Sequence, residues 1–181
     1  MNQPRTIAVF GSSGVTQESE LAQQAEELGR RLAQHGYRIS NGGYMGVMEA
    51  CSRGAQWAGG EVIGVTCQAF DERSPNPYLS KEVNTPDLNE RITTLMRLSD
   101  GYIVLDGMIG TMAELFLAWN LIFMGEQKPL IVVGDALRRF IENLHQYTEI
   151  NPRHIEYLRF AQDIDEAMKL LEDFDRRYWQ N

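Results

Sequence analysis

The chain has 181 residues, 43% of them hydrophobic, and a formal charge of −8 at pH 7, which suits one compact domain over residues 1–181 with a sizeable core. The acidic balance argues against a nucleic-acid polymer or an anionic membrane surface as partner, since each needs a basic face. No apolar run nears the roughly 20 residues of a membrane span, no secretory pattern precedes the first strand, and Cys51 and Cys67 have neither metal-ligand nor disulfide spacing, so a cytoplasmic protein without a bound metal is expected.

Along the chain, strand and helix alternate. Thr6–Phe10 reads as a short buried strand, and Leu21, Ala25, Leu28 and Leu32 recur at helical spacing until Gly36. Tyr37–Asn41 is the second strand, followed by a helix near Met45–Ala58 that stops at Gly59-Gly60, and then by a strand over Glu61–Thr66. A polar segment carrying Pro75, Pro77 and Pro86 comes next, with Pro86 as the first residue of a helix over Pro86–Leu98 capped by Thr85. The strand Tyr102–Leu105, the helix Thr111–Met124, the strand Pro129–Val133 and a helix around Ala136–Tyr147 follow. A strand near Leu158–Ala161 and a helix over Ile164–Phe174 close the pattern.

Strands separated by helices predict an α/β protein with a Rossmann-like, doubly wound parallel sheet and helices on both faces, because parallel neighbours need right-handed crossovers. With the order 3-2-1-4-5 the winding reverses between the first and fourth strands, and ligands of such sheets sit beyond the strand carboxyl ends at that point. Three glycine-bearing turns then converge there: Gly11-Ser12-Ser13-Gly14, Asn41-Gly42-Gly43-Tyr44-Met45-Gly46 and Asp106-Gly107-Met108-Ile109-Gly110-Thr111. The last opens onto a helix, whose free N–H groups and positive dipole end suit a phosphate, with the carboxylate of Glu114 in the expected first turn. Thr111-x-x-Glu114 is also the pattern of a capping box, in which both side chains serve only the helix start.

These residues resemble the LOG family. The resemblance is carried in order by Gly11-Ser12-Ser13, by Gly42-Gly43-Tyr44-Met45-Gly46-Val47-Met48-Glu49-Ala50, by Glu90-Arg91, and by Gly107-x-x-Gly110-Thr111-x-x-Glu114, and it runs from about Thr6 to Gly134. It implies a Rossmann-like homodimer that cleaves the N-glycosidic bond of a nucleoside 5′-monophosphate, of the AMP or cytokinin ribotide type, into free base and ribose 5-phosphate. No cofactor is implied. The lysine decarboxylase label once attached to such proteins finds no lysine setting for a pyridoxal Schiff base here.

The residue types suit that chemistry. Cleavage passes through a ribosyl centre with oxocarbenium character, which a carboxylate stabilises or attacks with an activated water, and Glu114 is the candidate. Arg91 matches the family's essential arginine and offers a fork of donors to phosphate or ribose, although a helix arginine is also simply solvated. Ser12 and Ser13 can donate to phosphate or sugar, or merely shape a turn. Gly42 and Gly43, with Gly107, Met108, Ile109, Gly110 and Thr111, complete the expected nucleotide contacts. His35, His145 and His154 read as surface residues.

Two departures stand out. Asp106-Gly107-Met108 occupies the place where the family usually has Pro-Gly-Gly, removing a residue free to adopt positive φ and adding an acid beside an incoming dianion. Ile92 replaces the lysine that commonly follows the arginine. These changes suggest an alternative, a non-catalytic nucleotide-binding sensor or regulatory protein that keeps a degenerate site.

Overall fold

The computed structural model describes residues 4–70 and 73–179. Its elements in chain order are β1 (Thr6–Phe10), α1 (Glu20–Gln34), β2 (Arg38–Asn41), α2 (Val47–Trp57), β3 (Val62–Cys67), β4 (Lys81–Thr85), α3 (Leu88–Leu98), β5 (Gly101–Val104), α4 (Ile109–Phe123), β6 (Leu130–Val133), α5 (Asp135–Asn143), α6 (Pro152–Ile155), β7 (Arg159–Ala161) and α7 (Ile164–Phe174). The strands form one wholly parallel sheet in the order β4-β3-β2-β1-β5-β6-β7. This is the doubly wound Rossmann-like arrangement expected from the alternation, with its reversal between β1 and β5.

The strands β1 and β5 are buried at every position because both faces of the sheet are covered. In β1, Ile7 and Val9 pack with α1, α2 and α7 through Leu28, Leu32, Ala50 and Met168, whereas Ala8 and Phe10 pack on the other side with α3, α4 and α5 through Leu95, Leu115, Trp119 and Ile141. Every named side chain in that pair of layers is buried. The core thus lies on both sides of the sheet, and the loops at the strand carboxyl ends are left to form a site.

Three local expectations are corrected. The strand β4 lies in the proline-rich segment that reads as irregular; it is an edge strand whose first four residues are at least partly exposed, so it lacks the apolar run that marks a buried parallel strand. The helix α3 starts at Leu88 rather than Pro86. Its cap is Asp87, whose Oδ1 accepts from the Glu90 N–H at 2.9 Å, while Thr85 pairs with Cys67 in the sheet and donates its hydroxyl to the Thr66 carbonyl at 2.7 Å. A residue before proline is held extended, which favours Thr85 as the end of a strand over Thr85 as the start of a helix. Finally α4 begins at Ile109, not Thr111, with Met108 at the cap and no side-chain capping bond.

The helices α1 and α2 approach through glycine on both sides. A Cβ on Gly29 would lie 2.0 Å from the Cys51 carbonyl oxygen, and one on Gly54 would lie 1.9 Å from the Glu26 carbonyl oxygen. Since the obstacle is backbone in both cases, the helices must separate to admit a methyl group. Gly54→Ala is therefore expected to destabilise the fold by at least about 1 kcal/mol, overcoming the roughly 1 kcal/mol by which alanine favours a helix. A chemical-denaturation midpoint for Gly54→Ala at or above that of the native chain would contradict this packing.

Candidate active site

The carboxyl ends of β1, β2 and β5 deliver the three expected turns to one crevice, and backbone hydrogen bonds tie them together. The Ser12 N–H donates to the Asp106 carbonyl at 3.0 Å, and the Ser12 carbonyl accepts from the Val47 N–H at 2.9 Å. Ser12 is buried and its hydroxyl accepts from the Gly14 N–H at 3.1 Å, so this side chain shapes its own turn. Ser13 is half-buried. In the second turn Gly43 and Gly46 have φ of +75° and +70°, and a Cβ on Gly46 would lie 2.4 Å from the Ser12 carbonyl oxygen. Glycine is required there both by conformation and by the approach of the first loop.

Arg91 is buried against the second turn. Its Nε donates to the Val65 carbonyl at 2.8 Å and its Nη2 to the Gly42 carbonyl at 3.2 Å, and its guanidinium lies 5.6 Å from the Tyr44 ring centre and 5.9 Å from that of Phe70. A Cβ on Gly42 would sit 1.8 Å from Nη2, so the absence of a side chain at Gly42 is what admits the arginine. These contacts leave Nη1 facing Glu114, with 3.9 Å to its Oε1. The gap is too long for a direct hydrogen bond and leaves both groups with capacity for a third party.

Glu114 sits in the second turn of α4 and is 8% exposed. Burial pushes its carboxyl up to about 7, the nearby Arg91 charge opposing that rise in part. Because Met108 is the cap, Glu114 lies too far along the helix to close a capping box, and that alternative is set aside. Thr111, also buried, packs against Gly107, where a Cβ would lie 2.2 Å from its Oγ1. The first N–H of α4 to bond back is that of Met112, to the Met108 carbonyl at 3.0 Å, so the N–H groups of Ile109, Gly110 and Thr111 have no intrahelical acceptor. Ile109 and Gly110 are exposed, and a Cβ on Gly110 would meet nothing within 4 Å. An anion reaches this helix start unhindered.

Of the two residues that replace the usual proline and glycine, Met108 is accommodated by its backbone. Met108 has φ −101° and ψ −165°, extended backbone open to any residue, so the position does not require a glycine. The Asp106 carboxylate lies near Gly134, 4.0 Å from where a Cβ there would be, on the side of the neighbouring β6–α5 turn.

Sequence reasoning missed the residues that hold the second turn. The Asn41 Oδ1 accepts from the Gly43 N–H at 2.8 Å, and its amide nitrogen donates to the Ser52 hydroxyl at 2.9 Å. Asn76, buried, donates its backbone N–H to the Gly43 carbonyl at 2.8 Å and its Nδ2 to the Tyr44 carbonyl at 3.0 Å. The signal available was the Pro75-Asn76-Pro77 run, in which an asparagine between two prolines is held in a set conformation. Phe70, the second ring beside Arg91, has no sequence signal of this kind.

Against known proteins, the model of the SLOG cluster4 family matches residues 4–159. The chain is 29% identical over 172 residues to the cytokinin riboside 5′-monophosphate phosphoribohydrolase of Mycobacterium tuberculosis, covering 91% of each protein. It is 25% identical over 143 residues to the pyrimidine/purine nucleotide 5′-monophosphate nucleosidase of Escherichia coli K12, covering 72% of this chain and 31% of that longer protein. Among solved structures, the X-ray structure of TM1055 is 34% identical with a TM-score of 0.75, over 93% of this chain and 99% of that one. The molybdenum cofactor binding protein of Rippkaea orientalis, 23% identical with a TM-score of 0.77 over 96% of this chain and 98% of its own, shares the fold.

The buried carboxyl makes stability depend on pH in a definite direction. Glu114 titrates at about 7 in the folded chain against an ordinary value of 4.5, so its contribution is full below 4.5 and is lost as pH rises to about 7. Glu114→Gln removes that ionisation. The variant is expected to match the native chain near pH 4.5 and to exceed it by roughly 3 kcal/mol at pH 8, a shift of one pH unit being worth about 1.4 kcal/mol. Denaturation curves with the same pH dependence in both proteins would show that Glu114 is not a buried, proton-holding group.

Proposed function

The chain belongs to the SLOG cluster4 family, in keeping with the LOG resemblance of its motifs, and from that premise we propose that it is a phosphoribohydrolase that cleaves a nucleoside 5′-monophosphate, of the AMP or cytokinin ribotide type, to free base and ribose 5-phosphate. The observation that carries the reading is the buried Glu114–Arg91 pair beside the open amino end of α4. The activities named for the Mycobacterium tuberculosis and Escherichia coli relatives support the same substrate class.

In this reading the phosphate accepts from the N–H groups of Ile109, Gly110 and Thr111, where three donors and the helix dipole favour a dianion. The ribose then lies over the gap between Glu114 and Arg91. As the C1′–N bond breaks, its electron pair leaves with the base, which takes up a proton, and positive charge grows on the sugar. Water forms the new C1′–O bond and gives its proton to Glu114. A carboxyl poised near 7 suits that transfer at neutral pH, because the base form is present and still basic enough to accept. Arg91, held by two backbone carbonyls, supplies a fixed donor to the sugar or phosphate without having to reorganise.

The test is chromatographic detection of free base from AMP and an isopentenyl-modified AMP. Glu114→Gln is expected to lower turnover by at least about 100-fold while the protein stays folded, and Arg91→Ala to weaken nucleotide binding as well as rate. Near-native turnover in Glu114→Gln would remove the carboxylate from the mechanism, and thermal stabilisation by AMP without base release would favour the sensor.

Assembly belongs to the same proposal. The outer side of α4 is largely apolar, with Asn120 an exposed polar residue on it: Met112, Phe116, Leu117 and Leu121 are half-buried, and Ile109, Phe123 and the capping Met124 are 88%, 44% and 74% exposed. An apolar surface of this length, with Leu88 of α3 also exposed, suits a second copy packed across a two-fold axis with both sites close to the contact. Sedimentation at micromolar concentration is expected to give a dimer, and Leu117→Glu to shift it toward monomer; a native chain that sediments as a monomer would rule the dimer out.

A further inference from the structure

The third residue of α2 is a buried glutamate that no described residue satisfies. Glu49 is 7% exposed. It is not a cap, since the α2 start at Gly46 carries no side-chain capping bond. Its natural helical partner four residues on, Arg53, turns instead to Glu26 of α1, with Nε at 2.7 Å and Nη2 at 2.6 Å from one carboxylate oxygen. The Glu49 carboxylate oxygens are not sealed from solvent, so they stay open to donors supplied from outside the chain.

Glu49 lines a cavity of about 170 Å³ between the starts of α1 and α2, together with Val15, Thr16, Gln17, Met45, Ala50 and Arg53, whose charge is held by Glu26. The walls of this cavity continue the loops of the crevice. Met45 and Gly46 end the turn whose Gly42 carbonyl holds Arg91, and Val15 to Gln17 follow the Ser12-Ser13 turn that packs on Gly46. The volume is below the roughly 300–1,000 Å³ typical of whole-ligand pockets, so it suits one edge of a ring. Val15, Met45 and Ala50 offer apolar contact to flat faces, and Glu49 offers acceptors to N–H groups.

We propose that Glu49 reads the base of the nucleotide, accepting N–H from an exocyclic amine so that aminated bases are preferred to counterparts lacking that amine. The inference rests on the phosphoribohydrolase reading above and adds the group that sets base preference. Glu49 is a specificity residue, distant from the bond that breaks.

Two pairs of 5′-monophosphates differ by a single amine: AMP against purine riboside monophosphate, and GMP against IMP. With kcat/KM measured for each, or Kd by calorimetry for any nucleotide that binds uncleaved, the native chain is expected to prefer the aminated member of at least one pair by about 10-fold or more, the range of a hydrogen bond to a charged group. Glu49→Leu should abolish the preference and Glu49→Gln should reduce it, while inhibition by ribose 5-phosphate stays unchanged in both. Equal values within both pairs for the native chain, or a preference retained in both variants, would overturn the assignment and leave the phosphoribohydrolase reading intact. Nucleotides neither bound nor cleaved would overturn both. Because the native ratios alone can refute the inference, it remains testable even if a variant folds poorly.

Discussion

Everything at the crevice depends on the seating of one guanidinium. Arg91 is fixed by two main-chain carbonyls, that of Val65 within β3 and that of Gly42 just past β2, and a side chain at Gly42 would occupy its place. Two of its donors are thereby spent on the scaffold, which turns a long flexible side chain into a fixed one and aims the remaining nitrogen at Glu114. The charge in turn limits how far burial can raise the Glu114 carboxyl. Without the arginine that carboxyl would be neutral over a wider pH range and unable to serve as a base near neutrality.

The fold was legible because it rests on signals that are local and strong. The alternation of apolar strands with helical periodicity and glycine stops fixes the parallel sheet, and the α7 helix falls on Ile164–Phe174 as its spacing predicts. What escaped is what the sheet does at its margin: β4 has one buried residue, Thr85, and an edge strand of that kind is recognisable only from its hydrogen-bonding partner. The same applies to the start of α3, where Thr85 and Asp87 are both competent caps and the choice is made by the pairing of Thr85 with Cys67, distant along the chain.

At the candidate site, the glycines and the Glu114 and Arg91 pair could be named from their order along the chain, but their reasons could not. Gly42 matters for the room it leaves and Gly43 for its positive φ, a distinction invisible in the letters. Met108 illustrates the converse, since a replaced glycine looks disabling until the backbone proves to be extended there. The asparagines Asn41 and Asn76 were passed over because their partners are backbone atoms of the second turn, and such bonds leave no complementary residue to find. Glu49 carries no signal of its own within its motif, because a carboxylate at a helix start has an ordinary explanation until its expected partner is found engaged elsewhere.

The Ser12 peptide spans all three turns, its N–H on the Asp106 carbonyl and its own carbonyl on the Val47 N–H. Such a strut couples the β1, β2 and β5 loops mechanically: none can swing outward without breaking a bond to the others. The crevice therefore has the character of a preformed socket, in which outward movement of any one of these loops costs at least one of these bonds. Its side open to solvent is the amino end of α4, where Ile109 and Gly110 are exposed. For a socket of this kind the rate of exchange is set by the strength of the ligand's own contacts, above all those of a phosphate, rather than by a protein opening step.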